Sequence, residues 1–378
     1  MREVTARTGE MASDGSARPF VENIQVLRFV AAFMVLLSHA RHEAAASAGD
    51  LVPAFAAPFN LVTGVDIFFV ISGFVMFYLG HDRFGRAGEP ARFLLRRAIR
   101  LVPTYWLFTA LMLGASFVFH DQLAKPDIGL AHLLASLVFI PWPDQAGALY
   151  PPLMLGWTLN YEALFYVLFA GALALPRRAG LGALAAVLVF AAAAHVVVPA
   201  QMQILRFWSD PIVLEFLMGI ALAALYLAGV RLGVAAGLAV TFAGFALLSF
   251  FYMAGWQPPA WRFVWAGLPA LIICGGLALS ERCTRRAKAY DFVVLCGSAS
   301  YALYLSHLFT VKLIGVIWRK LALGLPWAML AVTSVTAVLV SLLVYAVIEK
   351  PLIAWLNRSL APRRAPEAAA AALPRPMA

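Results

Sequence analysis

The stretch "LRFVAAFMVLLSHA", residues 27–40, is apolar except for an arginine near one end and a histidine near the other. On an α-helix the eleven residues from Arg28 to His39 return to within roughly 20° of the starting direction, about 16 Å along the axis. The two side chains therefore share a face. Ionisable side chains inside apolar runs are expensive, which makes them candidates for function. Asp66 in "GVDIFFVISGF", Glu162 in "GWTLNYEALFY", Glu215 in "PIVLEFLMGI" and His307 in "SYALYLSHLF" stand in the same position. An imidazole exchanges protons near neutral pH, and a carboxylate at its depth can orient the ring and stabilise the imidazolium. Asp66, Glu162 and Glu215 all fall in the first turns of apolar runs, and helix order alone does not choose among them. The plain alternatives are an Arg28 that reaches the headgroups, a His39 that is only a buried hydrogen-bond partner, and carboxylates solvated at the interface.

A second constellation is "RRAIRLVPTYW". Arg97 and Arg100 are three apart, hence on one helix face, with Arg96 beside them. Two converging guanidiniums offer bidentate donors of fixed charge, which suits phosphate groups. The alternative is a purely topological anchor. Ser300 precedes His307 by seven residues and lies close to the same face, so His307 is read either as a second hydrogen-bonding group or as structural. The segment "FIPWPDQAGALYPPLMLGW" is aromatic-rich and is either a platform for sugar rings or an interfacial belt.

The elements that position these residues follow from composition. The chain is 63% hydrophobic and 13% charged over 378 residues, and apolar runs long enough to cross a bilayer recur throughout. Backbone satisfaction in lipid then requires helices. The sequence predicts an all-α polytopic membrane protein with ten spans, near 22–40, 58–79, 101–119, 158–175, 181–198, 211–228, 232–253, 263–279, 292–317 and 327–348. The run 130–140 is too short to span and is expected as an outer or re-entrant piece. With that assignment both termini are cytoplasmic, and the arginine-rich loops 81–100 and 281–291 fall inside. Arg319 and Lys320 are the main exception to the positive-inside pattern.

The net charge of +10 sits in short loops between apolar runs rather than on a soluble basic face, which argues against nucleic acid as partner. Cys274, Cys283 and Cys296 have no metal or redox spacing and read as packing residues. No metal site is expected. Residues 1–21 form a polar N-terminal segment without a small-residue cleavage site, so no cleaved signal peptide is expected. Residues 22–358 form the membrane domain, and the Pro/Ala-rich tail 359–378 is expected to be disordered.

In order along the chain, "NIQVLRFVAAFMVLLSHA", "GVDIFFVISGF", "RRAIRLVPTYW", "GWTLNYEALFY", "SASYALYLSH" and "VIEKPL" resemble the motifs of the acyltransferase 3 family, from about residue 22 to 355. Each motif is weak alone, and six in the right order are specific. The resemblance implies a ten-helix domain in the bacterial cytoplasmic membrane, a cytoplasmic acyl-CoA donor such as acetyl-CoA, and a carbohydrate acceptor on the outer side. It carries Arg28 and His39 over as the arginine–histidine motif of the first span, and Arg97 and Arg100 as the paired arginines before the third. Some relatives carry a fused extracytoplasmic domain, and this sequence has no counterpart of it.

Joined to the chemistry, the resemblance makes His39 the base, or a transient acyl carrier, and Arg97 and Arg100 the donor's phosphate anchor. Arg28 lines the path or holds a carboxylate, with Asp66 or Glu162 as candidate partners of His39. The rival reading is a transporter or flippase of a lipid-linked glycan, which also uses many helices and buried charges. Such a protein needs no arginine pair at one entrance and histidine across the bilayer.

Overall fold

The computed structural model describes residues 21–48, 57–118, 128–281 and 287–360. The expected N-terminal segment, apart from Val21, and the tail from 361 onward lie outside these residues. Among the described residues the fold is all-helical, with one isolated bridge between Leu232 and Ser280. The helices are α1 (Glu22–Ala48), α2 (Gly64–Gly80), α3 (Glu89–Val118), α4 (Leu130–Leu137), α5 (Gly156–Leu173), α6 (Arg177–Ala194) and α7 (Gln203–Trp208). They continue with α8 (Leu214–Leu227), α9 (Val234–Met253), α10 (Leu268–Ala278), α11 (Lys288–Ser298), α12 (Ser300–Lys320), α13 (Pro326–Val344) and α14 (Lys350–Leu360).

Nine helical segments among the described residues are long and apolar enough to cross a membrane, one fewer than the ten expected. The difference is α5. It is helical over 18 residues as predicted, but Asn160 and Glu162 dilute its apolar character. Asn160 is buried in the protein, and Glu162, half-buried, accepts from Ser72 and Tyr166 rather than facing lipid unpaired. Two further boundaries differ from expectation. The arginine-rich stretch before the third span is helix from Glu89 onward, so Arg92, Arg96, Arg97 and Arg100 belong to α3 itself. The ninth expected span breaks at Ala299 into α11 and α12, and α11 starts within the expected loop 281–291. The short run 130–140 forms only the eight-residue α4, about 12 Å long and unable to span.

α1 lies at the centre, packed on α2, α11, α12 and α13. α2 crosses α8 so closely that a Cβ at Gly73 would collide with the Phe216 carbonyl, and one at Gly219 with the Val70 carbonyl. Without a hydrophobic drive between helices in lipid, such small-residue contacts are how helices gain packing energy.

Two π-helical turns matter for the site. Phe263–Gly267 runs into α10 and Tyr345–Glu349 joins α13 to α14. Each ends two residues before a proline, Pro269 and Pro351. A helical proline has no N–H for the carbonyl four residues back and its ring presses on that carbonyl. The wider turn takes up the conflict, as the i→i−5 bonds from Leu268 to Phe263 and from Lys350 to Tyr345 show. One widened turn carries Glu349 and the other begins just after Arg262.

Candidate functional site

Arginines from two helices meet in the interior. Arg28 of α1 donates to Gln25 Oε1 at 3.3 Å and lies within electrostatic reach of Arg100, Glu162, Tyr166 and Glu349. The Arg97 guanidinium sits over the rings of Phe93 and Tyr166, 5.4 and 5.9 Å from their centroids. Its Nε is buried without a hydrogen-bond partner among the described residues. Glu162 of α5 accepts from Ser72 Oγ at 3.2 Å and from the Tyr166 hydroxyl. Glu349 on the π-turn is 2% exposed, its Oε2 has no hydrogen-bond partner among the described residues, and it lies within reach of Arg28 and Arg100. Three guanidiniums thus face two carboxylates. Partly buried guanidinium donors suit planar, bidentate contact with phosphate or carboxylate oxygens.

The second centre is a histidine pair. The Nδ1 of His39 lies 3.0 Å from the Val35 carbonyl oxygen and 3.2 Å from the Nε2 of His307. The Nδ1 of His307 lies 3.0 Å from the Leu303 carbonyl oxygen. A carbonyl only accepts, so both Nδ1 atoms carry the hydrogen. In neutral rings that leaves a lone pair on each Nε2. The single His39 Nδ1 hydrogen is then shared between the Val35 carbonyl and the His307 Nε2 lone pair, and the His39 Nε2 remains as the basic nitrogen. His307 is fully buried whereas His39 is partly exposed, so of the two rings His39 is the more accessible.

Tyrosines connect the two centres along α12. Tyr301 donates to the Leu101 carbonyl at 2.7 Å, beside the arginines of α3. One turn on, the Tyr304 hydroxyl meets Thr158 Oγ1 at 2.8 Å, and its ring centroid is 6.1 Å from that of His307. Six helical residues separate Tyr301 from His307, about 9 Å.

The carboxylates expected near His39 are elsewhere. Asp66 is fully buried and takes a bidentate pair from Arg262, Nε to Oδ1 at 2.9 Å and Nη2 to Oδ2 at 2.8 Å. Glu162 belongs to the arginine cluster. Glu215 is fully buried beside Asp66 and Arg262. The ring of His39 is oriented instead by a backbone carbonyl and a second imidazole. Ser300 is fully buried, its hydroxyl has no hydrogen-bond partner among the described residues, and it lies two turns from His307. Among the described residues no group of three His, Cys, Asp or Glu could hold a metal. Cys274 and Cys296 are buried and free, and Cys283 lies outside the described residues.

Two participants were not singled out from the sequence. Glu349 carries a visible signal, a lone acid in an apolar run two residues before a proline. Arg262 sits among aromatic residues between two spans, where an arginine looks like any loop cation.

The acyltransferase 3 family, described as an acyltransferase domain, matches residues 21–346. The exopolysaccharide production protein ExoZ of Rhizobium meliloti (strain 1021) is 34% identical over 295 residues, 77% of this chain and 89% of that protein. No solved structure matches. The family span contains Arg28, His39, Arg97, Arg100, Glu162 and His307, and a match over most of the chain places this protein in the acyltransferase 3 family of membrane acyltransferases.

Proposed function

We propose that the protein moves an acyl group, acetyl in the simplest case, from cytoplasmic acyl-CoA to a hydroxyl of an extracytoplasmic exopolysaccharide at the bacterial cytoplasmic membrane. The donor's phosphates bind the guanidiniums of Arg97 and Arg100, with Arg28 completing the cradle. The pantetheine arm follows the tyrosine-lined path and brings the thioester toward His39. The Nε2 of His39 takes the proton of the acceptor hydroxyl as its oxygen attacks the thioester carbonyl. The carbon–oxygen bond forms, the carbon–sulfur bond breaks, and the proton passes to the departing thiolate to give free CoA. His307 holds the ring in the tautomer that leaves Nε2 basic and accepts from Nδ1–H when the imidazolium forms. Positioning a base at the reacting hydroxyl is the main contribution available to this centre.

The single observation that carries the reading is the contact between His39 and His307. It leaves one defined basic nitrogen on a partly exposed ring, an arrangement a transporter does not need. The exopolysaccharide in the name of the Rhizobium meliloti relative supports the choice of acceptor. The test is acyl transfer from acetyl-CoA to base-deacylated exopolysaccharide from the producing strain, with protein in nanodiscs. His39→Gln keeps polarity and most of the packing, and a fall of about 10² to 10⁴ in rate with unchanged acyl-CoA binding is expected. Near-parental transfer by this variant would remove the assignment.

A further inference from the structure

Beyond His39, α1 and α12 carry a charged triad that the transfer chemistry does not use. Glu43 follows His39 by one helical turn. Its Oε2 takes Lys312 Nζ and its Oε1 takes Arg319 Nη1, each at 2.6 Å. The two helices approach so closely here that a Cβ at Gly315 would run into the Glu43 carboxylate. The acid is 6% exposed, while the Lys312 and Arg319 side chains are 56% and 47% exposed. Two cations therefore share one buried carboxylate and keep further donors exposed at the protein surface, since an ammonium has three and a guanidinium five. Lys312 and His42 lie within electrostatic reach of the His39 ring. Arg319 belongs to the cationic pair that breaks the positive-inside pattern in the topology set out above.

A structural clamp between α1 and α12 needs one cation for one carboxylate. Two, on the side where the expected topology disfavours basic residues and joined to an acid one turn from His39, are charge in excess of that need. We infer that this triad is the acceptor subsite for an anionic group, a carboxylate or phosphate within one or two sugar residues of the hydroxyl that is acylated. The inference rests on the acyl transfer proposed above. Lys312 and Arg319 determine specificity and take no part in the chemistry. Glu43 holds them over the entrance and tempers their charge.

The experiment uses full-length protein in nanodiscs of zwitterionic lipid, with acetyl-CoA and three acceptors. These are deacylated oligosaccharide of the strain's own exopolysaccharide, its carboxyl-reduced form, and the same glycan on its polyprenyl diphosphate carrier. For the best acceptor, Lys312→Gln is expected to raise KM about threefold to tenfold at unchanged kcat, with Lys312→Arg near parental. Glu43→Gln, which uncovers both cations, is expected to lower KM, whereas a purely structural triad predicts loss of folding or rate in both. A KM that rises on carboxyl reduction identifies a sugar carboxylate, and a preference for the carrier-linked form identifies the diphosphate. Equal KM for all three acceptors in parent and Lys312→Gln overturns the inference. So does an effect of Lys312→Gln seen only in anionic-lipid nanodiscs, which assigns the cations to headgroups. Absence of transfer to any acceptor by the parent protein instead overturns the function proposed above, and the acceptor subsite with it.

Discussion

His307 reaches His39 across 268 positions of sequence, and their ring nitrogens meet at 3.2 Å. The contact is directional, because each ring also faces a carbonyl of its own helix. In the proposed site a second imidazole joins the Val35 carbonyl in accepting from the Nδ1–H of His39, the place an acidic residue takes in many hydrolytic sites. Being neutral, it adds less electrostatic support to the imidazolium than a carboxylate would.

The proposed role makes His307 a positioning residue and predicts a distinctive mutational pattern. His307→Leu removes the acceptor and is expected to lower kcat by about 10- to 100-fold, less than loss of the base itself. His307→Asn restores an acceptor and recovers part of that loss. His307→Asp is the sharper probe, since an anion beside the ring favours the imidazolium and moves the acid limb of the kcat/KM profile to higher pH. KM for acyl-CoA stays unchanged in all three. A pH profile that does not move in a folded His307→Asp variant contradicts the role.

The arginine cradle predicts a separate defect. Arg97→Gln combined with Arg100→Gln removes two charge-assisted contacts, each worth about 1.5–3 kcal/mol when made to a charged group. CoA affinity measured by calorimetry should fall about a hundredfold or more, while the protein still inserts and unfolds at a near-parental temperature. Unchanged affinity would reduce the pair to determinants of topology.

Orientation can be read by cysteine accessibility. With Cys274, Cys283 and Cys296 changed to serine, single cysteines at Arg86 and at Gln257 should respond oppositely to an impermeant maleimide in intact cells. Position 257 is expected to label and position 86 to remain protected until the membrane is permeabilised. Labelling of position 86 from outside reverses the orientation on which the donor and acceptor sides depend.

Much of this architecture was legible in the sequence, because lipid imposes its demands locally. Apolar runs near 20 residues mark helices without reference to any partner. The spacing of Arg28 and His39, or of Arg97 and Arg100, follows from 3.6 residues per turn. The six ordered motifs identified the family before any packing was considered. What the sequence could not decide was which ionisable groups meet. Asp66, Glu162 and Glu215 are equivalent candidates in one dimension, each an acid early in an apolar run. In the fold, the close crossing of α2 and α8 and the widened turn before Pro269 accompany the pairing of Asp66 with Arg262, with Glu215 close by. α5 delivers Glu162 to the arginines, and the turn before Pro351 adds Glu349. The partner of His39 comes from α12, since α1 packs on that helix along its length. Periodicity is a property of one helix and can be counted; the pairing of buried charges depends on which helices touch and at what register, and only tertiary packing sets that.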